Sequence, residues 1–221
     1  MPIRIAMLLF PDLTQLDLTG PFEVLTRLPG AEVSLVWKSL DSVSSGTGLR
    51  ISPTATLLDA PQADVLFVPG GTGLVPLLGD PAVLEFVQRQ AAGARYVTAV
   101  CTGSLLLGAA GLLEGYRATT HWAFHEFLAR CGAIAVRERV VVDRTRITGG
   151  GVTAGIDFAL RLASELCDEQ TARAIQLGLE YDPEPPFDSG SPERATPELV
   201  ELVLGRLAKA RRDYGERLAL R

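Results

Sequence analysis

Short apolar runs alternate with longer segments of helical periodicity along most of the chain. The clearest strand patterns are Ile3–Leu9, Val33–Trp37, Val65–Val68 and Tyr96–Val100. The clearest helical patterns cover about 16–28, 81–92, 154–166 and 197–219. This alternation predicts an α/β fold of the flavodoxin-like, doubly wound type, in which helices sandwich a mostly parallel sheet.

The remaining segments give weaker patterns. They predict a small antiparallel excursion over 44–56, a helix over about 121–130, and short strands near 135–142 and 146–148. Asp168 is typical of the residue that caps a helix, here one ending near Tyr181. Prolines then predict an extended segment over 182–192. Without an internal repeat or a long linker, we expect residues 1–221 to form one domain with a C-terminal helical extension from about 193.

Composition argues against a nucleic-acid-binding, a membrane-spanning or a secreted protein. The net charge of −5 lacks the basic footprint of a nucleic-acid-binding protein. No apolar run reaches the roughly 18 residues that a membrane span needs, and the first strand does not resemble a signal peptide. Cys101, Cys131 and Cys167 are an odd number without metal-type spacing, which favours reduced thiols and a cytoplasmic protein. We expect Cys131 and Cys167 to be structural.

The most informative stretch is the corner between Tyr96–Val100 and the helix-forming residues after Ser104. Cys101 stands at this corner, followed by Thr102 and Gly103. Such a strand–turn–helix resembles a nucleophile elbow, which lifts a reactive side chain out of the carboxyl edge of the sheet. The backbone amides and the helix dipole predict a thiol pKa below the ordinary value. A buried structural cysteine is the alternative.

A carboxyl near the first strand is the second chemical candidate. Asp17 follows that strand and lies between Leu16 and Leu18, where an acidic residue is unfavourable unless it is paired. It either caps the helix that starts there or faces the thiol. If Asp17 faces Cys101, the two groups share one proton and the pKa of one of them must rise.

Glycine-rich turns follow two of the predicted strands. The run from Gly70 to Gly73 lacks the endings of a P-loop or a dinucleotide fingerprint. We expect Gly71 to bring its backbone N–H to the cysteine, forming an anion hole with the Thr102 amide. The run 149–151 serves the same purpose or simply allows close packing of a strand on a helix.

The chain has two histidines, His121 and His125, spaced for one face of the predicted helix. Two ligands are too few for a zinc site, so we expect no metal. A Cys–His dyad with His121 and a hydrogen-bonded core histidine beside Trp122 both remain open.

Several segments together resemble the PfpI/ThiJ superfamily, which is related to the class I glutamine amidotransferases. The resemblance covers nearly the whole chain up to Tyr181, and it is carried by residues 64–73, 96–113, 118–122 and 148–157. Within the superfamily, residues 15–21, Val100-Cys101-Thr102-Gly103-Ser104 and the segment from Glu180 to Pro192 are similar to the isocyanide hydratase family.

This resemblance implies an enzyme, a lyase that hydrates isocyanides to N-substituted formamides without cofactor or metal. Cys101 would be the nucleophile and Asp17 the proton donor and acceptor, with Thr102 and the Gly71 N–H orienting the substrate. The superfamily also implies a homodimer. Many members carry a glutamate or a histidine where this chain has Asp17 and Thr102, which weakens glyoxalase or deglycase chemistry as an alternative. A second alternative is a non-catalytic ligand or redox sensor, as in related transcription regulators.

Overall fold

The computed structural model describes residues 2–220. The strands in this range, in chain order, are β1 (Ile3–Leu8), β2 (Ala31–Trp37), β3 (Val43–Ser44), β4 (Arg50–Ile51), β5 (Ala55–Thr56), β6 (Val65–Val68), β7 (Tyr96–Val100), β8 (Arg117–Ala118), β9 (Ile134–Ala135), β10 (Val140–Asp143) and β11 (Arg146–Gly149). The α-helices are α1 (Gln15–Leu25), α2 (Leu74–Leu77), α3 (Pro81–Gly93), α4 (Gly103–Ala109), α5 (Ala154–Leu166), α6 (Glu169–Gly178) and α7 (Pro197–Ala219).

The central sheet has the strand order β10-β11-β7-β6-β1-β2-β5. All its neighbouring strands run parallel except β10, which pairs antiparallel with β11 at one edge. Without the edge strands β5 and β10, the parallel strands follow the order 2-1-3-4-5, which is the flavodoxin-like arrangement. The predicted fold class is therefore confirmed.

Helices cover both faces of this sheet. Helix α1 packs against α5, and α3 packs against α4, so the helices form two groups. Strand β6 is buried along its whole length, as is β7 after its first residue. Both are continuous apolar runs because a parallel sheet covered on two faces has no solvent side. In such sheets the carboxyl ends of the central strands are where functional side chains collect.

Several smaller elements differ from the prediction. The excursion over 44–56 contains the antiparallel pair β3–β4, but β5 leaves it and joins the sheet edge parallel to β2. The strand expected near 135–142 is two strands, β9 and β10. Helix α1 ends at Leu25 rather than near 28, whereas α5 and α7 have the expected bounds.

The helix predicted over about 121–130 is wrong. Two 3-10 turns, Trp122–Phe127 and Ala129–Cys131, occupy this segment. A 3-10 turn has three residues per turn, so residues three apart lie on the same side. Phe124 and Phe127 are both buried on that side, and Phe124 packs edge-on against Tyr214 of α7 at 5.2 Å between ring centroids. Burial of these aromatic rings therefore accounts for the tighter turn.

The C-terminal helix α7 packs across α2 and the two 3-10 turns. Its side chains Tyr214 and Leu218 are buried in the same hydrophobic core as the sheet. Among the described residues, 2–220, none of the helices has the length and apolar character required to cross a membrane.

Candidate active site

Cys101 lies with Thr102 between β7 and α4 and has a backbone φ of +54°. The left-handed region is unfavourable for a residue with a side chain, so the surroundings must hold this conformation. The Cys101 N–H donates to the carbonyls of Gly149 and Gly150, at 3.1 and 2.9 Å. Its carbonyl accepts the hydroxyls of Thr120, at 2.7 Å, and Ser104, at 3.1 Å. These four hydrogen bonds fix a strained strand–turn–helix corner.

Asp17 lies in the first turn of α1, is fully buried and forms a hydrogen bond with the Cys101 thiol. Its Oδ2 accepts the N–H of Gly70 at 3.1 Å. Its Oδ1 is buried and accepts no hydrogen bond that meets normal geometric limits among the described residues. Burial raises the Asp17 pKa to about 7, although the hydrogen bonds with Cys101 and Gly70 oppose the rise. The structure thus brings together the two side chains that the sequence left unconnected.

The Cys101 pKa is raised well above its ordinary value, so the expected lowering at the elbow is wrong. Burial is the main cause, and the Asp17 charge is the second. The backbone amides of Thr102 and Val152 donate to the sulfur and oppose the rise without overcoming it. The two groups are coupled, and above about pH 7 the pair therefore holds one proton between the carboxyl and the sulfur.

The turn Gly70–Gly71 supports the pair from one side. A Cβ on Gly70 would lie 2.7 Å from three atoms, Oδ2 of Asp17, Cβ of Cys101 and the amide nitrogen of Thr102, so only glycine fits there. The Gly71 N–H donates to the Thr102 hydroxyl at 3.0 Å. This N–H is therefore engaged with the Thr102 side chain, and the amides that donate to the sulfur are those of Thr102 and Val152.

Val152 and Tyr214 are site residues that the sequence analysis missed. Val152 has an unusual backbone φ of +23° and follows the glycine run 149–151, which was a usable signal. Tyr214 donates its hydroxyl to the Gly71 carbonyl at 2.6 Å. No pattern in the sequence connects a tyrosine of the last helix with a turn that lies more than 140 residues earlier.

The structure does not give either histidine a role at the thiol. His121 precedes the first 3-10 turn, and its Nδ1 accepts the Ala123 N–H at 3.2 Å. Burial lowers the His121 pKa to about 4, so the ring is neutral at pH 7. His121 and His125 do not lie on one α-helical face as expected, but both line the cavity beside the elbow. Within residues 2–220, three or more His, Cys, Asp or Glu side chains nowhere converge as metal ligands.

A cavity of about 610 Å³ lies beside the elbow. It shares the segment Gly150–Val152 and Thr120 with the surroundings of Cys101, but neither Cys101 nor Asp17 lines it. Cys101 itself is only 5% exposed. The other lining residues are Thr119, His121, Trp122, His125, Arg137, Glu138, Arg139, Thr153, Ala154, Gly190, Ser191, Pro192, Glu193 and Arg194.

Known proteins are similar to this chain over most of its length. An isonitrile hydratase from Pseudomonas putida is 56% identical over 99% of this chain and 97% of its own. The crystal structure of a ThiJ/PfpI family protein from Pseudomonas syringae has a TM-score of 0.96 at 45% identity, covering 99% of this chain and 91% of its own. The transcriptional regulator GbdR from Pseudomonas aeruginosa is 34% identical over 82% of this chain, a match that spans only 51% of the regulator.

A family model provides the classification. The DJ-1/PfpI family model matches residues 3–165, a range that contains Asp17, the Gly70–Gly71 turn, the Cys101 elbow and Val152. The fold and the close relatives agree with this match, and the chain belongs to the DJ-1/PfpI family.

Proposed function

We propose that this protein hydrates isocyanides, R–N≡C, to N-substituted formamides through a covalent intermediate on Cys101. The observation that carries the proposal is the buried Asp17–Cys101 pair. It occurs in a chain that is 56% identical, over nearly its whole length, to an isonitrile hydratase. The reaction requires a nucleophile and a proton at one carbon, and this pair supplies both.

In the first step, the Cys101 sulfur attacks the terminal carbon of the isocyanide. Asp17, ionised above pH 7, takes the thiol proton as the S–C bond forms and passes it to the same carbon. The product is a thioimidate, R–N=CH–S–Cys101, and the carboxylate is regenerated. A carboxyl with a pKa near 7 is suited to both halves of this transfer, because it holds and releases protons with similar ease at neutral pH.

In the second step, water adds to the thioimidate carbon. Asp17 takes a proton from the water as the O–C bond forms and passes it to the nitrogen, which leaves the tetrahedral adduct R–NH–CH(OH)–S–Cys101. Asp17 then takes the hydroxyl proton as the C–S bond breaks and R–NH–CHO is released, and it returns this proton to the Cys101 thiolate. Covalent capture thus divides a difficult hydration into two easier additions.

The backbone around the pair has defined tasks in this scheme. The amides of Thr102 and Val152 donate to the sulfur and stabilise the negative charge that it carries in both steps. The Gly70 N–H orients the Asp17 carboxyl through Oδ2, which leaves Oδ1 free of other protein donors. We propose that Gly71 and the Thr102 hydroxyl position the Gly70–Gly71 turn and do not contact the substrate directly.

Access to the sulfur also favours an isocyanide. The isocyano group is linear and ends in a bare carbon, so it fits a narrow approach to a thiol that is 5% exposed. We assign the neighbouring 610 Å³ cavity to the R group, since Gly150 and Val152 line it and also contact Cys101. The substrate is then a small molecule, and no cofactor takes part in the scheme.

The alternatives receive less support from the site. An oxidant sensor needs an exposed thiol with a low pKa, whereas Cys101 is buried with a raised one. Aldehyde chemistry based on a Cys–His pair needs a basic histidine, whereas His121 has a pKa of about 4. From the family and the composition we also infer a cytoplasmic homodimer, which does not bind nucleic acid or membrane.

The test is formamide production from an aryl isocyanide by four proteins: wild type, Cys101→Ala, Cys101→Ser and Cys167→Ala. Cys167 is an exposed free cysteine and serves as the matched control. We expect turnover by wild type and Cys167→Ala, and a loss of at least about a thousandfold in both Cys101 variants. Residual turnover near wild type in Cys101→Ala would contradict the covalent scheme, and an inactive wild type would contradict the proposed function.

A further inference from the structure

The Tyr214 side chain reaches the active site from the C-terminal helix. Tyr214 lies in α7, is 1% exposed, and its ring packs edge-on against Phe124. Its hydroxyl lies 2.6 Å from the Gly71 carbonyl and 3.0 Å from the Thr102 hydroxyl. Helix α7 begins 32 residues after the last residue matched by the family model, so this contact comes from outside the matched range.

The hydrogen bonds of these three residues share the Tyr214 hydroxyl. The Gly71 N–H donates to Thr102 Oγ1, and the Gly71 carbonyl accepts the short hydrogen bond from Tyr214. The Tyr214 hydroxyl also donates to Thr102 Oγ1, so its single proton lies between two acceptors. These three contacts close a ring that joins the Gly71 peptide group to both hydroxyls.

This ring is attached directly to the groups that contact the reacting pair. Thr102 carries the amide that donates to the Cys101 sulfur. Gly71 follows Gly70, whose N–H donates to Asp17. We propose that Tyr214 is a positioning residue of the active site, which holds these two amides in place by closing a hydrogen-bond ring with Thr102 and Gly71. This inference rests on the proposed function of the same site.

A packing role alone would not require the hydroxyl. The aromatic ring of a phenylalanine would make the same contact with Phe124, and burial of a hydroxyl is unfavourable unless it is hydrogen-bonded. Removal of the hydroxyl takes a donor away from the buried Gly71 carbonyl and leaves Thr102 Oγ1 with only the Gly71 N–H. Thr102 is then free to turn away from the Gly71 N–H, and both supporting amides lose their fixed direction.

The experiment compares Tyr214→Phe with Leu218→Ala. Leu218 is buried one turn later in α7 and lies outside the ring, so its truncation weakens helix packing without removing a hydrogen bond. The first readout is isocyanide hydration. For Tyr214→Phe we expect kcat to fall about tenfold, the loss of one buried hydrogen bond, with KM changed less than about twofold. For Leu218→Ala we expect a lower Tm and unchanged kcat.

The second readout does not depend on hydration. It is the pH dependence of Cys101 alkylation by iodoacetamide, measured in a Cys167→Ala background to remove the exposed thiol. The Gly70 N–H lowers the Asp17 pKa, so loosening this amide should move the acid limb of alkylation to higher pH by about 0.5 unit or more. The same shift is expected for Thr102→Val, which breaks the ring from its other side and serves if Tyr214→Phe does not fold.

A wild-type pH profile and kcat in Tyr214→Phe would overturn the inference. An equal change of kcat and of the pH profile in Leu218→Ala would also overturn it, because the effect would then come from the packing of α7 and not from the Tyr214 hydroxyl. If the wild type does not hydrate isocyanides, the proposed function fails, and the alkylation profile alone then decides whether Tyr214 positions the pair.

Discussion

Two aspartates lie at helix starts, Asp17 in α1 and Asp168 before α6, and their different surroundings shift their pKa values in opposite directions. Asp168 is exposed and caps its helix by accepting the Thr171 N–H at 2.7 Å. That backbone hydrogen bond is the main reason that its pKa lies below the ordinary value. Asp17 is also near the N-terminus of a helix and also accepts an amide, yet burial raises its pKa to about 7.

The difference teaches that a helix N-terminus does not by itself decide the charge of a carboxyl. At Asp168 water solvates the ion, and the cap adds to an already favourable charge. At Asp17 the loss of water outweighs one amide hydrogen bond and the favourable end of the helix dipole. The second partner there is a thiol rather than a cation, so the charge stays uncompensated and the group becomes suited to moving protons.

The largest effect expected from this comparison is on turnover. Asp17→Asn keeps the size of the side chain and an acceptor for the Gly70 N–H, but it cannot take the thiol proton. We expect kcat/KM for isocyanide hydration to fall by about 10²–10⁴, the usual contribution of a general acid–base group. The matched Asp168→Asn should stay within about twofold of wild type. Near-wild-type turnover by Asp17→Asn would show that Asp17 does not transfer the proton and serves only the start of α1.

The sequence predicted most of the fold and part of the site. Strand β6 and the helices α5 and α7 follow from apolar runs and periodicity, and Asp168 was correctly predicted as a cap. The elbow at Cys101 was predicted in the same way, because its strand and its helix-forming residues are local. What failed was the segment 121–130, where the burial of aromatic rings against α7 overrides helical propensity.

The pKa values of the site residues could not be predicted from the sequence. Local reasoning predicted a lowered thiol pKa from nearby amides, but burial and the Asp17 charge depend on tertiary packing and dominate. Asp17 was ambiguous for the same reason, since a cap and a partner of Cys101 have identical local patterns. Tyr214 is the extreme case, because only the folded chain places it beside Thr102.

The second prediction concerns stability, where Asp17 should have an unfavourable effect at neutral pH. Its folded pKa is about 7 and its unfolded value is 3.8, so the folded state retains a proton that the unfolded state releases between these values. The contribution of Asp17 to wild-type stability therefore falls as pH rises from about 4 to 7. Asp17→Asn avoids this loss, and we expect it to be more stable at pH 8, by at most about 4 kcal/mol. Urea unfolding at pH 4.5 and pH 8 measures the difference, and a variant less stable than wild type at pH 8 would contradict the pKa assignment.

The third prediction is the pH profile of wild-type turnover. Below about pH 7 the pair holds two protons, and Asp17 cannot accept the thiol proton. We therefore expect kcat/KM to fall about tenfold per pH unit on the acid side and to reach a plateau above pH 7 to 8. Asp168→Asn should give the same profile. An acid limb of kcat/KM centred near pH 4 would instead indicate that Asp17 is solvated, as Asp168 is.

The smallest effect belongs to Asp168→Ala, which removes a cap and leaves the active site intact. We expect a decrease in Tm of a few degrees at pH 7 with unchanged turnover. The sign of its pH dependence is opposite to that of Asp17: because the folded pKa of Asp168 is lowered, its stabilisation is present above pH 4 and disappears as the pH falls through the folded pKa. The Tm difference between wild type and Asp168→Ala should therefore shrink in acid, whereas the difference between wild type and Asp17→Asn should grow toward alkaline pH. If both differences followed the same direction, solvent exclusion at Asp17 would no longer explain why one helix-start carboxyl is a cap and the other a proton carrier.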